Sequence, residues 1–180
     1  ALDYWAERLS ESGVPSSWRP ERFAGKALSF ADFDGLSLEM VESTAIDDSK
    51  ANPRGPVPTE YAVRGFHHAV LKEETAERTA SLLTEVFGFK EIGREGDRFR
   101  YASESGRPGD IVELLCAPEE RPGRVLVGTV HHIAWRTPDE QQQLDWREEL
   151  TRRGYSVSPV MDRKYFHSIY FREPGGVLFE

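Results

Sequence analysis

"GTVHHIAWRTPDE", residues 128–140, sets two adjacent histidines in an alternating, half-apolar run that leads into a helix-start signal. "GFHHAVLKEETAE", residues 65–77, does the same, and the offset from His67 to His131 is 64 residues. A fixed offset of that size reads as an internal repeat. In the first copy the pattern gives a strand (66–71), a helix (76–87) and strands near 90–93, 97–103 and 110–117. In the second, a strand from Thr129 is followed by a helix and by strands near 155–159, 165–172 and 176–180. Thr137, Pro138 and Glu140 show a capping-box spacing with proline at the first helical position, and Gly154 stops that helix.

Working upstream, "ALDYWAERLSESGVP" predicts an amphipathic helix with Leu2, Trp5 and Leu9 on one face and Gly13 as its stop, with no strand before it. "RFAGKALSFADFDGLSLEMVES" predicts two strands around the turn "DFDG". The expected division is a partial unit at 1–45, a Pro- and Gly-containing connector at 46–64, and βαβββ units at 65–124 and 125–180. The fold class is α+β. Because the leading unit starts without its first strand and the last strand stops at Glu180, the chain is expected to be a fragment of a longer protein.

Composition narrows the function classes. A net charge of −8 and a pI near 5.2 disfavour a nucleic-acid backbone as partner. A mean hydropathy of −0.56, without any apolar run of about 20 residues, gives no membrane span, and a soluble, cytoplasmic protein is expected. Cys116 stands alone in an apolar run, which excludes disulfide scaffolds and thiolate zinc clusters and reads as a buried structural thiol.

Strand alternation sorts the histidines. In "VHHIAWR", His131, Ile133 and Trp135 share one face while Val130, His132 and Ala134 share the other. In the last strands Ile169 and Phe171 oppose Ser168, Tyr170 and Arg172, and Val177 and Phe179 oppose Leu178 and Glu180. If the bulky apolar side chains pack under helices, His132, Tyr170 and Glu180 remain together on one concave face. An imidazole and a carboxylate there offer ligands suited to Fe(II), Mn(II), Ni(II) or Zn(II).

At these residues the chain resembles the vicinal oxygen chelate (glyoxalase, bleomycin resistance, extradiol dioxygenase) superfamily, whose βαβββ modules pair into mixed half-barrel sheets with helices outside. "IYFREPGGVLFE", residues 169–180, resembles the end of the extradiol ring-cleaving signature. "VHHIAWRTPDEQQQLDWREEL" with "DRKYFHSIYFREPGG" resembles in particular the hydroquinone-type, four-module ring-cleaving dioxygenases. The resemblance implies His132 and Glu180 as metal ligands, Tyr170 as active-site tyrosine, Arg163 as a substrate-pocket arginine and His131 as a partner supporting His132. It implies Fe(II), or Mn(II), as cofactor, and O₂ with a small aromatic diol as substrates; a homo-oligomer is compatible with it. Catechol cleavers place an acid–base histidine where this chain has Val160, Met161 and Asp162, and His167 lies on the opposite strand face from Tyr170. A para-diol is therefore favoured. The third ligand is either His68, by analogy with catechol enzymes, or a residue of the first module, which this chain lacks; the isolated chain is then expected to be inactive. Glu39 matches Glu180 through the repeat. Two rivals remain open: a glyoxalase-like metal-dependent isomerase or lyase, and a metal-free small-molecule binding module of the same fold.

Overall fold

A computed structural model of the chain describes residues 1–23, 25–43, 54–120 and 123–180. The 46–53 part of the expected connector lies outside them. The architecture is mixed α+β, with no closed barrel among the described residues. Helix α1 (Leu2–Glu11) is followed by an antiparallel sheet of β1 (Ser16–Arg22), β2 (Gly25–Ala31) and β3 (Ser37–Val41), in that spatial order. The described end of the connector forms one 3₁₀ turn, Thr59–Tyr61, against which α1 is fastened: Trp5 Nε1 donates to the Tyr61 carbonyl at 2.8 Å and Tyr4 stacks on Tyr61 at 4.4 Å. Strand β1 is absent from the sequence expectation. All seven of its residues are exposed and Pro20 interrupts them, so it carries no alternation; pairing with β2 alone makes it a strand.

The next sheet has the order β4-β7-β6-β5, from β4 (His68–Glu73), β5 (Lys90–Glu95), β6 (Arg98–Ala102) and β7 (Ile111–Cys116). Neighbouring β4 and β7 pair in parallel, with six residues in register from His68↔Ile111 to Glu73↔Cys116. The crossover between β4 and β5 is helical, as parallel geometry requires. It comprises α2 (Glu77–Ser81) and then a π turn over Leu82–Val86, in which the Phe87 amide donates to the Leu82 carbonyl at 3.2 Å.

Residues 125–180 repeat this order in shorter pieces. Ile133 pairs parallel with Phe179, flanked by bonds from Ile133 N to Leu178 O, Glu180 N to Ile133 O and Trp135 N to Glu180 O at 2.9–3.0 Å. Beyond α3 (Glu140–Arg152) lie the two-residue strands β8 (Met161–Asp162), β9 (His167–Ser168), β10 (Phe171–Arg172) and β11 (Leu178–Phe179), with β8 paired to β9 and β10 to β11. The three long strands expected after the helix thus break into short segments. The expected cap also moves: Asp139, not Thr137, is the N-cap, its carboxylate accepting from the Gln142 amide at 2.8 Å. Pro138 consequently precedes the helix rather than opening it. A carboxylate at that position satisfies an orphan N–H and faces the helix dipole favourably.

One core serves both repeats. Leu71, Leu82, Leu83, Val112 and Leu114 pack with Leu150, Phe171 and Phe179, and Phe87 stacks on Trp146 at 4.8 Å. The helices therefore lie where the two regions meet, on the sheet faces opposite His68 and His132. Among the described residues no helix is long and apolar enough to cross a membrane.

Candidate functional site

The last strands are held by a polar turn. The Glu173 carboxylate accepts from the amides of Gly175 and Val177 at 2.7 and 2.6 Å and from Thr79 Oγ1 at 2.6 Å. Gly176 sits at φ +97°, which only glycine adopts without strain. Gly175 is needed for a different reason: a Cβ there would lie 2.5 Å from the Glu73 carboxyl carbon. Glu73 is itself buried with neither oxygen hydrogen-bonded, and burial, then the charge of Glu173, push its pKa up to about 7.

This turn delivers Glu180 to His132. His132 Nε2 and Glu180 Oε2 are 2.7 Å apart, and the other carboxylate oxygen, Oε1, is buried without a partner. His131 Nδ1 lies 2.8 Å from His132 Nδ1, leaving Nε2 as the nitrogen that faces the carboxylate. Tyr170 meets the His132 ring edge to face at 6.0 Å, and the Arg163 guanidinium lies 5.2 Å from the centre of the Tyr170 ring. Tyr170 is placed by two bonds to one residue, its amide donating to Ser158 Oγ and its carbonyl accepting from the Ser158 amide, both at 2.9 Å. Arg163 sits at the tip between β8 and β9, where its amide donates to the Phe166 carbonyl. Ile133 and Trp135 pack on the apolar core, as alternation requires.

The arrangement thus joins His131, His132, Glu180, Tyr170 and Arg163. It does not bring His68 to them. Among the described residues no group of three or more His, Cys, Asp and Glu side chains is placed to hold a metal. His68 has its own surroundings: His67 Nδ1 at 2.8 Å, and the charged groups Arg100, Glu113 and Arg98, with burial first and then Arg100 pushing its pKa down to about 4. Glu39 is in ion-pair range of Arg19, at 3.7 Å. His167 pairs with Glu140 of α3 at 2.6 Å. Cys116 is half-buried, and burial raises its pKa.

Sequence reading missed Glu113. Its signal was present: Gly35, Gly109 and Gly176 each stand four residues before a glutamate, namely Glu39, Glu113 and Glu180. The register gives the same answer, since Ala69 pairs with Val112 as Ile133 pairs with Phe179.

Residues 65–180 match the family model described as the glyoxalase/bleomycin resistance protein/dioxygenase superfamily. A Bacillus subtilis protein provisionally named ring-cleaving dioxygenase MhqO is 42% identical over 182 residues, spanning 100% of this chain and 56% of that protein. Chlorohydroquinone/hydroquinone 1,2-dioxygenase of Sphingobium indicum is 34% identical over 99% of this chain and 57% of its own length. A crystal structure from Bacillus subtilis, of a protein provisionally described as a dioxygenase, superposes with a TM-score of 0.89 at 42% identity, over 99% of this chain and 56% of that one. The chain therefore spans little more than half the length of these relatives.

Proposed function

Because the chain belongs to the glyoxalase/bleomycin resistance protein/dioxygenase superfamily, we propose that it is the metal-binding part of a non-haem Fe(II) dioxygenase that opens the ring of a hydroquinone-type diol. The observation that carries this reading is the His132–Glu180 pair with its orphaned carboxylate oxygen. Two ligands about 2.1 Å from one ion at a right angle stand about 3 Å apart. The 2.7 Å between Nε2 and Oε2 fits that within a small side-chain adjustment. A buried oxygen without a donor is costly unless a cation or water meets it, and a nitrogen–oxygen donor set suits Fe(II) or Mn(II).

His132 and Glu180 would hold the ion, with the third ligand coming from outside the residues described, as the hydroquinone-type resemblance implies. Fe(II), when bound, supplies a redox-active cation that favours the ionised diol and lets its electrons pass to O₂. His131 fixes the His132 ring and leaves Nε2 free to ligate. Tyr170 orients its hydroxyl at the substrate oxygens, and Arg163 beside it offsets the negative charge of the ionised diol. Ile133 and Phe179, packed beneath the pair, keep water from its inner side. Between the rivals, the dioxygenase names of the relatives favour oxygen chemistry over isomerisation.

The test is Tyr170→Phe in the full-length protein, with turnover followed on an oxygen electrode against hydroquinone and catechol at equal iron loading. Losing a hydroxyl that bonds a charged oxygen removes about 1.5–3 kcal/mol, about a 10- to 150-fold fall in rate, while iron content stays constant. Unchanged turnover returns Tyr170 to a packing role, and a wild-type preference for catechol overturns the substrate class. Activity on a hemithioacetal without oxygen consumption transfers the protein to the isomerase reading.

A further inference from the structure

The His–Glu arrangement occurs twice. His68 and Glu113 occupy in the β4–β7 sheet the places that His132 and Glu180 occupy beside the Ile133–Phe179 bridge. The two carboxylates meet different company. Glu113 is 2% exposed and both of its oxygens are taken: Oε1 by Arg98 Nη1, and Oε2 by Arg100 Nη2 at 2.9 Å and Arg100 Nε at 3.3 Å. Arg98 and Arg100 alternate on β6 with Phe99 and Tyr101, so both guanidinium groups fall on the face that carries Glu113. Arg100 also lies 4.0 Å from the centre of the Phe23 ring, and the Phe23 amide donates to Glu95 Oε1 at 2.7 Å. Phe23 holds the unusual φ of +49° at this contact, and its ring leaves no room for a Cβ on Gly93.

We propose that Arg98 and Arg100 take the place of the metal ion in this first copy, so that the His68–Glu113 position is a protein-filled cation site that closes on Phe23 instead of binding metal and substrate. Two fixed guanidinium groups satisfy a buried carboxylate with geometry a divalent ion would otherwise supply. They also repel an incoming cation. The group being replaced is named from the metal reading of His132 and Glu180, and the experiment separates the two claims.

The probe is Mn(II), titrated into the whole chain while the imidazole proton resonances of its five histidines, assigned with His→Ala variants, are followed for paramagnetic broadening. In the wild type the His132 signals are expected to broaden while those of His68 stay sharp. In Arg98→Met/Arg100→Met, which leaves Glu113 uncompensated, His68 is expected to broaden at least about tenfold earlier in Mn(II) than in the wild type. Adding Glu113→Gln should reverse that gain. His68 broadening together with His132 in the wild type overturns the proposal, as does a folded double variant with no gain at His68. Should the double variant fail to fold, Arg98→Met and Arg100→Met singly are expected to show a smaller gain, and no gain in either overturns it. If the double variant gains at His68 while wild-type His132 never broadens, the arginine proposal stands and the metal reading of His132 and Glu180 falls.

Discussion

The stretch from His68 to Cys116 and the stretch from His132 to Glu180 share a strand order and a histidine–glutamate pair, yet they use their polar groups in opposite ways. In the first, six consecutive residues of β4 pair with β7 and the buried carboxylate is fully satisfied by arginine. In the second, one bridge with three flanking bonds holds the corresponding strands and the carboxylate keeps an orphaned oxygen. A repeat lets the strand-borne carboxylate of one copy be fully hydrogen-bonded while that of the other retains an unsatisfied oxygen, and an unsatisfied group of that kind points to function.

The comparison breaks most visibly at the metal. In the full-length protein, His132→Ala and Glu180→Gln are each expected to abolish iron retention, whereas His68→Ala leaves it unchanged; elemental analysis of the purified proteins decides. His131→Ala, removing only the support of His132, is expected to weaken retention about 10- to 100-fold.

Stability should show the reverse asymmetry. Glu113→Gln leaves two largely buried guanidinium groups without their shared carboxylate and is expected to cost about 3–5 kcal/mol. Glu180→Gln, which removes a charge that is only half satisfied, should cost less than about 1 kcal/mol. Urea denaturation of both variants measures the difference, and equal costs would erase the distinction drawn between the copies.

A third asymmetry is proton-linked and lies where the regions meet. Glu73, raised to about 7 from an ordinary 4.5, binds its proton more tightly in the folded chain than in the unfolded one. Stability should therefore fall as the pH rises from about 4.5 through 7, by at most about 3 kcal/mol. Glu73→Gln removes the titration, so its advantage over wild type should be small at pH 5 and largest at pH 8. A variant with the same pH slope as wild type would place the slope elsewhere. The smallest effect expected is at the helix start, where Asp139→Ala should cost about 1 kcal/mol. Thr137→Ala should cost almost nothing, since Asp139 is the cap.

Much of this was legible in residues 65–77 and 128–140. The repeat, the alternation that commits Ile133, Trp135, Phe171 and Phe179 to the core, and the meeting of His132, Tyr170 and Glu180 all follow from period-two geometry. Three features were hidden for physical reasons. The exposure of β1 along its whole length gave no hydrophobic pattern to read. The bond from Asp139 to the Gln142 amide competes with an equally plausible cap two residues earlier. The arginine pair on Glu113 is a tertiary event, visible only once the pairing of Arg100 with Glu113 across β6 and β7 is known.

The π turn at Leu82–Val86 has a consequence for the phase of the chain. It accommodates one residue more than an α-helix would, and an α-helix advances about 100° per residue. Winding the same five residues into α geometry, with none removed, would swing Phe87 about a quarter-turn off its bearing, whereas deleting one residue along with that change would keep it nearly in place. Phe87 is the hub of an aromatic wheel: Phe89 at 6.3 Å belongs to its own repeat, and the other four spokes, Trp146 at 4.8 Å, Trp135 and Phe179 at 5.9 Å and Phe171 at 6.4 Å, belong to the second. The wide turn therefore acts as a timing mark, absorbing the extra residue so that the first repeat's helix stays in step with the second.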